Sequence, residues 1–159
     1  MEPSPELIEK LRRSGIRIDR QGDFIHEGEP VRHEGLRRAL FRWLDRLEDG
    51  RHVLRLDERR FAYLDVEDTP LVVRALRVAP SGDTVSLQLS DGAQEPLDPN
   101  TLTVDGQGIL RCWVRGGRLE ARLATSAAAA LVERITETPR GPALALGAGP
   151  PRLLVRRSG

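Results

Sequence analysis

The stretch FAYLDVEDTPLVVRALRVAPSGDTVSLQL, residues 61–89, decides the fold class. Its apolar residues form three runs: segment 61–66 alternates, segment 71–78 is largely β-branched or apolar, and segment 85–89 alternates again. Alternation with a period of two is typical of β-strands. Turn-forming residues, Pro80-Ser81-Gly82-Asp83, separate the last two runs. The stretch therefore predicts successive strands joined by short turns.

Similar patterns continue on both sides of this stretch. Ile16 and Ile18 alternate with arginines, and the turn Gln21-Gly22-Asp23 then leads into Phe24-Ile25-His26, which predicts a small hairpin. Residues 110–114 predict another strand, and residues 143–155 predict a final hairpin. We therefore expect an α+β protein with mainly antiparallel sheets.

Two segments have the spacing of a helix. An amphipathic helix is predicted at about 34–47, packed on a sheet with Trp43 as its main anchor and with a stripe that includes Leu36, Leu40 and Leu47. A long helix is predicted at about 118–135, directly after a break at Gly116-Gly117. The sequence Ser4-Pro5-Glu6 predicts one more helix start near the N-terminus.

The length and charge of the chain limit which classes of function are expected. At 159 residues the chain (1–159) is expected to be a single compact unit, with a two-lobe division near 68–72 as the alternative. Its 25 basic and 24 acidic residues are nearly balanced, and Lys10 is the only lysine, which we attribute to codon bias. Acidic residues interleave with the arginines, and the aromatic residues are expected in the core. We therefore predict no nucleic-acid partner. The expected aromatic core residues are Trp43, Phe61, Tyr63 and Trp113.

The sequence carries no recognised catalytic or metal-binding pattern. Cys112 is the only cysteine and lies in an apolar strand, where we expect it to be buried and inert. The three histidines are scattered, without the paired spacing of a metal site. We predict no cofactor, no metal and no catalytic residue. No apolar run has the length of a membrane span, and the N-terminus does not have the pattern of a signal peptide, so we expect a cytoplasmic protein.

An ordered series of short motifs, from about Ile18 to at least Leu131, resembles a known family. The series consists of Asp23-Phe24-Ile25-His26-Glu27-Gly28-Glu29-Pro30-Val31, the helix through Phe41 and Leu44, Asp49-Gly50, Val66-Glu67-Asp68-Thr69-Pro70, and Val114-Arg115-Gly116-Gly117 with Leu119-Glu120-Ala121-Arg122. This series resembles the bacterial family known as domain of unknown function 1285 (DUF1285). The resemblance implies an α+β protein with two β-rich motifs similar to parts of a pleckstrin-homology barrel. It implies, by analogy of fold, an interaction or signalling role.

Two of these motifs are where we expect function. One is the acidic corner at Glu67 and Asp68, and the other is the glycine break beside Arg115, which is predicted to place a helix N-terminus next to two arginines. In one interpretation Glu67 or Asp68 pairs with Arg115 and locks two lobes together. In the other, the arginines and glycines form one wall of a groove for an anionic ligand. The candidate ligand-binding residues are Arg115, Gly116, Gly117, Arg118, Glu67 and Asp68.

The sequence leaves the activity unknown. The class that it favours is a non-enzymatic module that binds a small molecule or a peptide, with bacterial signalling as its setting. An enzyme whose site is assembled from distant acid and base residues is one alternative. A structural homo-oligomer subunit is the other, and a homodimer is its simplest form. The partner is therefore an unidentified small molecule or protein.

Overall fold

A computed structural model describes Pro5, residues 12–147 and residues 149–156. The helix start expected at Ser4 lies outside the described residues apart from Pro5. Two compact units make up the chain, one ending at Pro70 and the other beginning at Leu71. That the whole chain is a single compact unit stays a prediction.

The described residues of the first unit form a six-stranded sheet. Its strands are β1 (Arg13–Ile18), β2 (Phe24–His26), β3 (Glu29–Pro30), β4 (Leu44–Arg46), β5 (His52–Arg55) and β6 (Phe61–Val66), in the order β3-β2-β1-β6-β5-β4. Neighbouring strands are antiparallel except β1 and β6, which are parallel. The hairpin expected around residue 22 is confirmed, because Ile18 pairs with Phe24.

Helix α1 spans Glu34–Trp43 and is shorter than the sequence predicts. His33 precedes the helix as its N-cap, and its Nδ1 accepts the backbone N–H of Leu36 at 3.1 Å. The helix ends at Trp43 because the next residues form β4, in which Leu44 pairs with Leu54. Leu44 fits the period of either a helix or a strand, so spacing alone could not place this end.

Trp43 was predicted to anchor α1, and this is wrong. The buried residues of the helix are Leu40 and Phe41, and the Phe41 ring lies edge-on to Phe24 with centroids 4.7 Å apart. Trp43 is half-buried and Leu36 is 45% exposed. The buried face of α1 is therefore centred on Leu40 and Phe41 rather than on Trp43.

The described residues of the second unit form two further sheets. The larger has the order β16-β10-β11-β12-β7-β8-β9, and the smaller has the order β13-β14-β15. The strands are β7 (Leu71–Val78), β8 (Val85–Leu89), β9 (Gln94–Pro96), β10 (Thr103–Val104), β11 (Leu110–Val114), β12 (Leu119–Leu123), β13 (Ile135–Thr138), β14 (Gly141–Leu144), β15 (Arg152–Leu153) and β16 (Val155–Arg156). A 3-10 turn spans Pro99–Thr101, and helix α2 spans Thr125–Val132. β12 runs parallel to β7, and β16 runs parallel to β10.

The long helix predicted at about 118–135 is wrong over its first third. Residues 119–123 form β12, and only Thr125–Val132 is helical. Leu119, Ala121 and Leu123 are buried while the residues between them are half-buried, which is the period of a strand. Leucines at 119 and 123 also fit a helical period. Residues 119–123 form a strand because they pair with both β11 and β7.

The α+β class with mainly antiparallel sheets is confirmed. Strands predicted from residues 61–89 are all present as β6, β7 and β8. Neither helix in the described part of the chain, at 10 and 8 residues, has the length that a membrane span would need.

Candidate functional site

The acidic corner follows β6 and contacts the turn between β1 and β2. Glu67 is exposed, and its Oε2 accepts the backbone N–H of Arg20 at 2.7 Å. The backbone N–H of Glu67 donates to the carbonyl of Ile18 at 2.9 Å. Asp68 is half-buried, whereas Thr69 is only 1% exposed. Within the first unit, Glu67 therefore holds a neighbouring turn in place.

The second motif is a hairpin turn, so the predicted helix N-terminus at Gly116-Gly117 is wrong. Val114 of β11 pairs with Leu119 of β12, and the four residues Arg115–Arg118 between them are called here the arginine hairpin loop. Gly117 donates its N–H to the carbonyl of Val114 at 3.1 Å. Arg115, Gly116 and Gly117 have φ values of 52°, 66° and 84°. Such left-handed turns suit the twist of antiparallel strands, which explains the glycine pair.

Arg115 is unusual because a residue with a Cβ adopts this left-handed conformation at a cost. Its backbone N–H donates to both carboxylate oxygens of Glu95, at 3.1 and 3.3 Å. Its Nη2 donates to Oδ2 of Asp91 at 2.7 Å. The Asp91 side chain is 6% exposed and the Arg115 side chain 27%. Two carboxylates of the adjacent β8–β9 hairpin therefore hold Arg115 in place.

Asp91 and Glu95 are site residues that sequence reasoning missed. Oδ1 of Asp91 accepts the N–H of Ala93 at 2.8 Å. One carboxylate oxygen therefore stabilises the β8–β9 turn, while the other binds Arg115. The sequence Asp91-Gly92 indicates the turn. No local signal joins it to an arginine 24 residues later, because that contact depends on the strand order β11-β12-β7-β8.

The outer part of the arginine hairpin loop faces solvent. Gly116, Gly117 and Arg118 are exposed, and no atom lies within 4 Å of the position that a Cβ would take on either glycine. A surface depression of about 310 Å³ lies on β8 and β9, and Glu95 contributes to both the depression and the loop. The depression is lined by Thr84, Val85, Ser86, Gln94, Glu95 and Pro96.

The six predicted site residues are divided between the two units. Arg115, Gly116, Gly117 and Arg118 lie together in one loop of the second unit, while Glu67 and Asp68 belong to the first. That the acidic corner pairs with Arg115, or shares a ligand with it, stays a prediction.

Cys112 is buried, as predicted, with an exposure of 0%. Burial raises the pKa of its thiol to about 12, and the negative charges of Glu95 and Glu120 add to the effect. The thiol therefore stays protonated at neutral pH, a state in which it is a poor nucleophile. No group of three or more metal-ligating side chains occurs among the residues that the structure describes.

The expectation that four aromatic residues lie in the core is wrong. Trp43, Phe61, Tyr63 and Trp113 are all half-buried. Phe61 and Tyr63 are two residues apart on β6, so they share one face of the sheet. The alternation of segment 61–66 correctly predicts that the two residues share a face. It does not predict whether that face of the sheet is covered by other residues or exposed to solvent.

Fold comparison identifies two similar solved structures. One is a DUF1285 family protein from Silicibacter pomeroyi DSS-3, with a TM-score of 0.74 and 20% identity over 96% of this chain and 87% of that one. The other is a DUF1285 family protein from Shewanella baltica OS155, with a TM-score of 0.61 and 17% identity over 74% of this chain and 90% of that one. No protein-family profile and no curated protein matches the sequence.

The chain thus has the fold of DUF1285 family proteins, the same family that its sequence motifs resemble. At these identities the likeness shows the fold alone. The family is defined as a domain of unknown function, so the neighbours bring no activity to this chain and its function remains unknown.

Proposed function

We propose that the chain is a non-enzymatic, cytoplasmic binding module that holds an anionic small molecule, or the carboxylate of a peptide, at the arginine hairpin loop. A role in bacterial signalling fits such a module. The implied likeness of its β-rich motifs to parts of a pleckstrin-homology barrel points the same way by analogy. The observation that carries the proposal is the double anchoring of Arg115 by Asp91 and Glu95.

Double anchoring supports a binding role because it makes the loop rigid before any ligand arrives. A left-handed arginine costs about 1 kcal/mol relative to glycine, and strain of this kind concentrates at functional sites. The anchoring fixes the backbone at Arg115, directly before Gly116, while the exposed glycines leave room for a ligand to approach. A preorganised loop loses little conformational entropy on binding.

An anion is the ligand that this loop suits best. The Asp91 carboxylate already occupies one edge of the Arg115 guanidinium, so we assign the main ligand contact to the exposed Arg118. A guanidinium presents several N–H donors in a plane that matches a carboxylate or a phosphate. The depression on β8 and β9 shares Glu95 with the anchoring of Arg115, and we assign the polar remainder of the ligand to the hydroxyl and amide groups of Thr84, Ser86 and Gln94 that line it.

The test is a thermal-shift screen of the pure protein against carboxylate and phosphate metabolites and short acidic peptides. A ligand present at about 100 times its Kd should stabilise the fold by about 2.7 kcal/mol. Arg118→Ala should abolish the shift produced by any hit, read against the melting temperature of that variant without ligand. Arg42→Ala is the matched control, because Arg42 is an exposed arginine of the first unit.

Two results would reject the proposal. In one, no anionic compound raises the melting temperature. In the other, a hit stabilises Arg118→Ala and the wild type equally, so that the site lies elsewhere. The prediction that the acidic corner shares this ligand is tested separately with Glu67→Gln, which should then change the affinity for the same hit.

A second candidate function, a structural homo-oligomer subunit, is favoured by one observation. Leu153 and Val155 are 47% and 58% exposed, and Val155 lies in β16, an edge strand of the larger sheet. Exposed apolar residues on a strand edge are a common site of pairing between chains. Light scattering after gel filtration tests this candidate. A dimer that dissociates in Val155→Lys would support it, and a monomeric wild type would exclude it.

A further inference from the structure

The first unit carries a cluster of arginines stacked on aromatic rings, separate from the arginine hairpin loop. Phe61 and Tyr63 of β6 lie edge to face, with ring centroids 5.9 Å apart. The Cζ of Arg12 lies 3.8 Å from the Phe61 centroid, and that of Arg51 lies 4.6 Å from the Tyr63 centroid. Arg55 lies 5.8 Å from the Phe61 centroid. These five residues form what we call the arginine–aromatic face.

Two of the three arginines are neutralised within the face. The Nε of Arg51 is 2.8 Å from Oδ2 of Asp49, and the Nε of Arg55 is 2.8 Å from Oδ2 of Asp45. Each of these two arginines lies over a ring and pairs with a carboxylate. These two contacts explain where its side chain lies. The two arginines cover apolar surface and complete ion pairs, as arginines on sheet faces commonly do.

Arg12 differs from the other two. Its Nη2 donates to the carbonyl of Arg59 at 3.4 Å, a long hydrogen bond that uses one of its five N–H donors. Among the residues that the structure describes, no carboxylate lies within 4.0 Å of its guanidinium. Its backbone is fixed, because its carbonyl accepts the N–H of Tyr63 at 2.6 Å. Arg12 is thus a positioned cation to which the described part of the chain gives one side-chain hydrogen bond and no ion pair.

We propose that the arginine–aromatic face is an oxyanion site, in which Arg12 binds a phosphate or carboxylate group of a small molecule. The Phe61 ring, whose centroid lies 3.8 Å from the Arg12 Cζ, limits the movement of the guanidinium, and in this proposal two of its N–H groups donate to two oxygens of the ligand. Arg51 and Arg55 are each paired with a carboxylate, so they add no net charge to the face. Their ion pairs hold the side chains around Phe61 and Tyr63 in position. The half-buried position of Arg12 limits screening by salt.

The experiment follows the arginine Nε–H signals of the full chain by NMR during titration with inorganic pyrophosphate. A parallel titration with malonate distinguishes phosphate from carboxylate as the preferred group. We expect a saturable shift of the Arg12 signal with a Kd in the range of about 0.1–10 mM. Arg12→Met should weaken binding about fivefold or more, because it keeps the apolar stem on Phe61 and removes the donors.

Two further variants keep the result decisive. Arg12→Lys retains the charge without the planar fork and should bind more weakly than the wild type. Arg38→Met, at an exposed arginine of α1 that is 3.7 Å from Glu34, should leave the affinity within about twofold. Backbone amide spectra confirm that each variant is folded. An Arg12 signal that does not saturate, or equal affinity in Arg12→Met and the wild type, would overturn the proposal.

Discussion

Two hairpins flank β11, and each is closed by an arginine and a carboxylate. In the β10–β11 hairpin the pair is internal: Asp105 binds Arg111 at 2.6 Å and accepts the N–H groups of Gln107 and Ile109. In the β11–β12 hairpin, Arg115 reaches outside the turn to Asp91 and Glu95 of another hairpin. One turn is thus self-contained, and the other is stabilised by a hairpin that lies beyond β7 in the strand order.

The difference explains why only the second loop is a candidate for function. In the self-contained turn, Asp105 binds groups of its own hairpin, so local structure explains the position of this carboxylate. The arginine hairpin loop joins two turns that are distant in sequence, and its Arg118 is exposed. A ligand that binds there would therefore stabilise two hairpins together.

The largest effect is expected for Arg115→Ala. It removes the partner of Asp91, whose side chain is only 6% exposed, and leaves a buried carboxylate with fewer donors. The free energy of unfolding should fall by about 2–3 kcal/mol. Chemical denaturation followed by circular dichroism measures this. A loss below about 0.5 kcal/mol would mean that Arg115 does not hold the two hairpins together.

The same two hairpins show what the sequence could predict. In the β10–β11 hairpin the closing groups, Asp105 and Arg111, lie within six residues of one another, so the local sequence is enough to indicate a turn. The turn at Gly116-Gly117 was assigned to the start of a helix. Leu119 and Leu123 fit a helical period as well as a strand, and the residues that hold the loop are 20 and 24 positions away. Strands such as β6, β7 and β8 were therefore predictable, whereas β12 and the contacts that build the candidate site were not.

A smaller difference in stability is expected between glycine substitutions in the two loops. Gly117 has a φ of 84° with open space around it, so Gly117→Ala should cost about 1 kcal/mol through backbone strain alone. Gly106 in the other hairpin also has open space, and its φ is outside the left-handed region. Gly106→Ala should therefore change stability by no more than about 0.5 kcal/mol. Equal costs for the two substitutions would contradict the left-handed geometry of the arginine hairpin loop.

The internal pair predicts a dependence on pH. The hydrogen bond from Arg111 is the main reason that the pKa of Asp105 is lowered to about 2, from an ordinary value of 3.8. A carboxyl whose pKa is lowered by folding contributes stability above its unfolded pKa, and that contribution is lost as the pH falls. Stability from this pair should therefore be complete above about pH 4 and decline toward pH 2.

Urea denaturation of the wild type and of Asp105→Asn, from about pH 2 to about pH 6, measures this pH dependence of stability. The difference in unfolding free energy between the two proteins should shrink as the pH falls. A constant difference across the range would show that the charge of Asp105 contributes nothing to the hairpin.

The smallest effect on stability is expected for Arg118→Ala. Its side chain is exposed, so unfolding should change by no more than about 0.5 kcal/mol, while ligand binding is lost. Differential scanning fluorimetry with and without a ligand measures both quantities. A large loss of stability without ligand would place Arg118 with Arg115 among the structural residues.

The central claim, that Arg115 ties the two hairpins together, is tested most directly by a double-mutant cycle with Asp91. The unfolding free energies of Arg115→Met, Asp91→Asn and the double variant are compared with that of the wild type by chemical denaturation. The contact of 2.7 Å predicts a coupling of about 1–2 kcal/mol, with the double variant less destabilised than the sum of the two single variants. Additive effects, within about 0.3 kcal/mol, would contradict the claim.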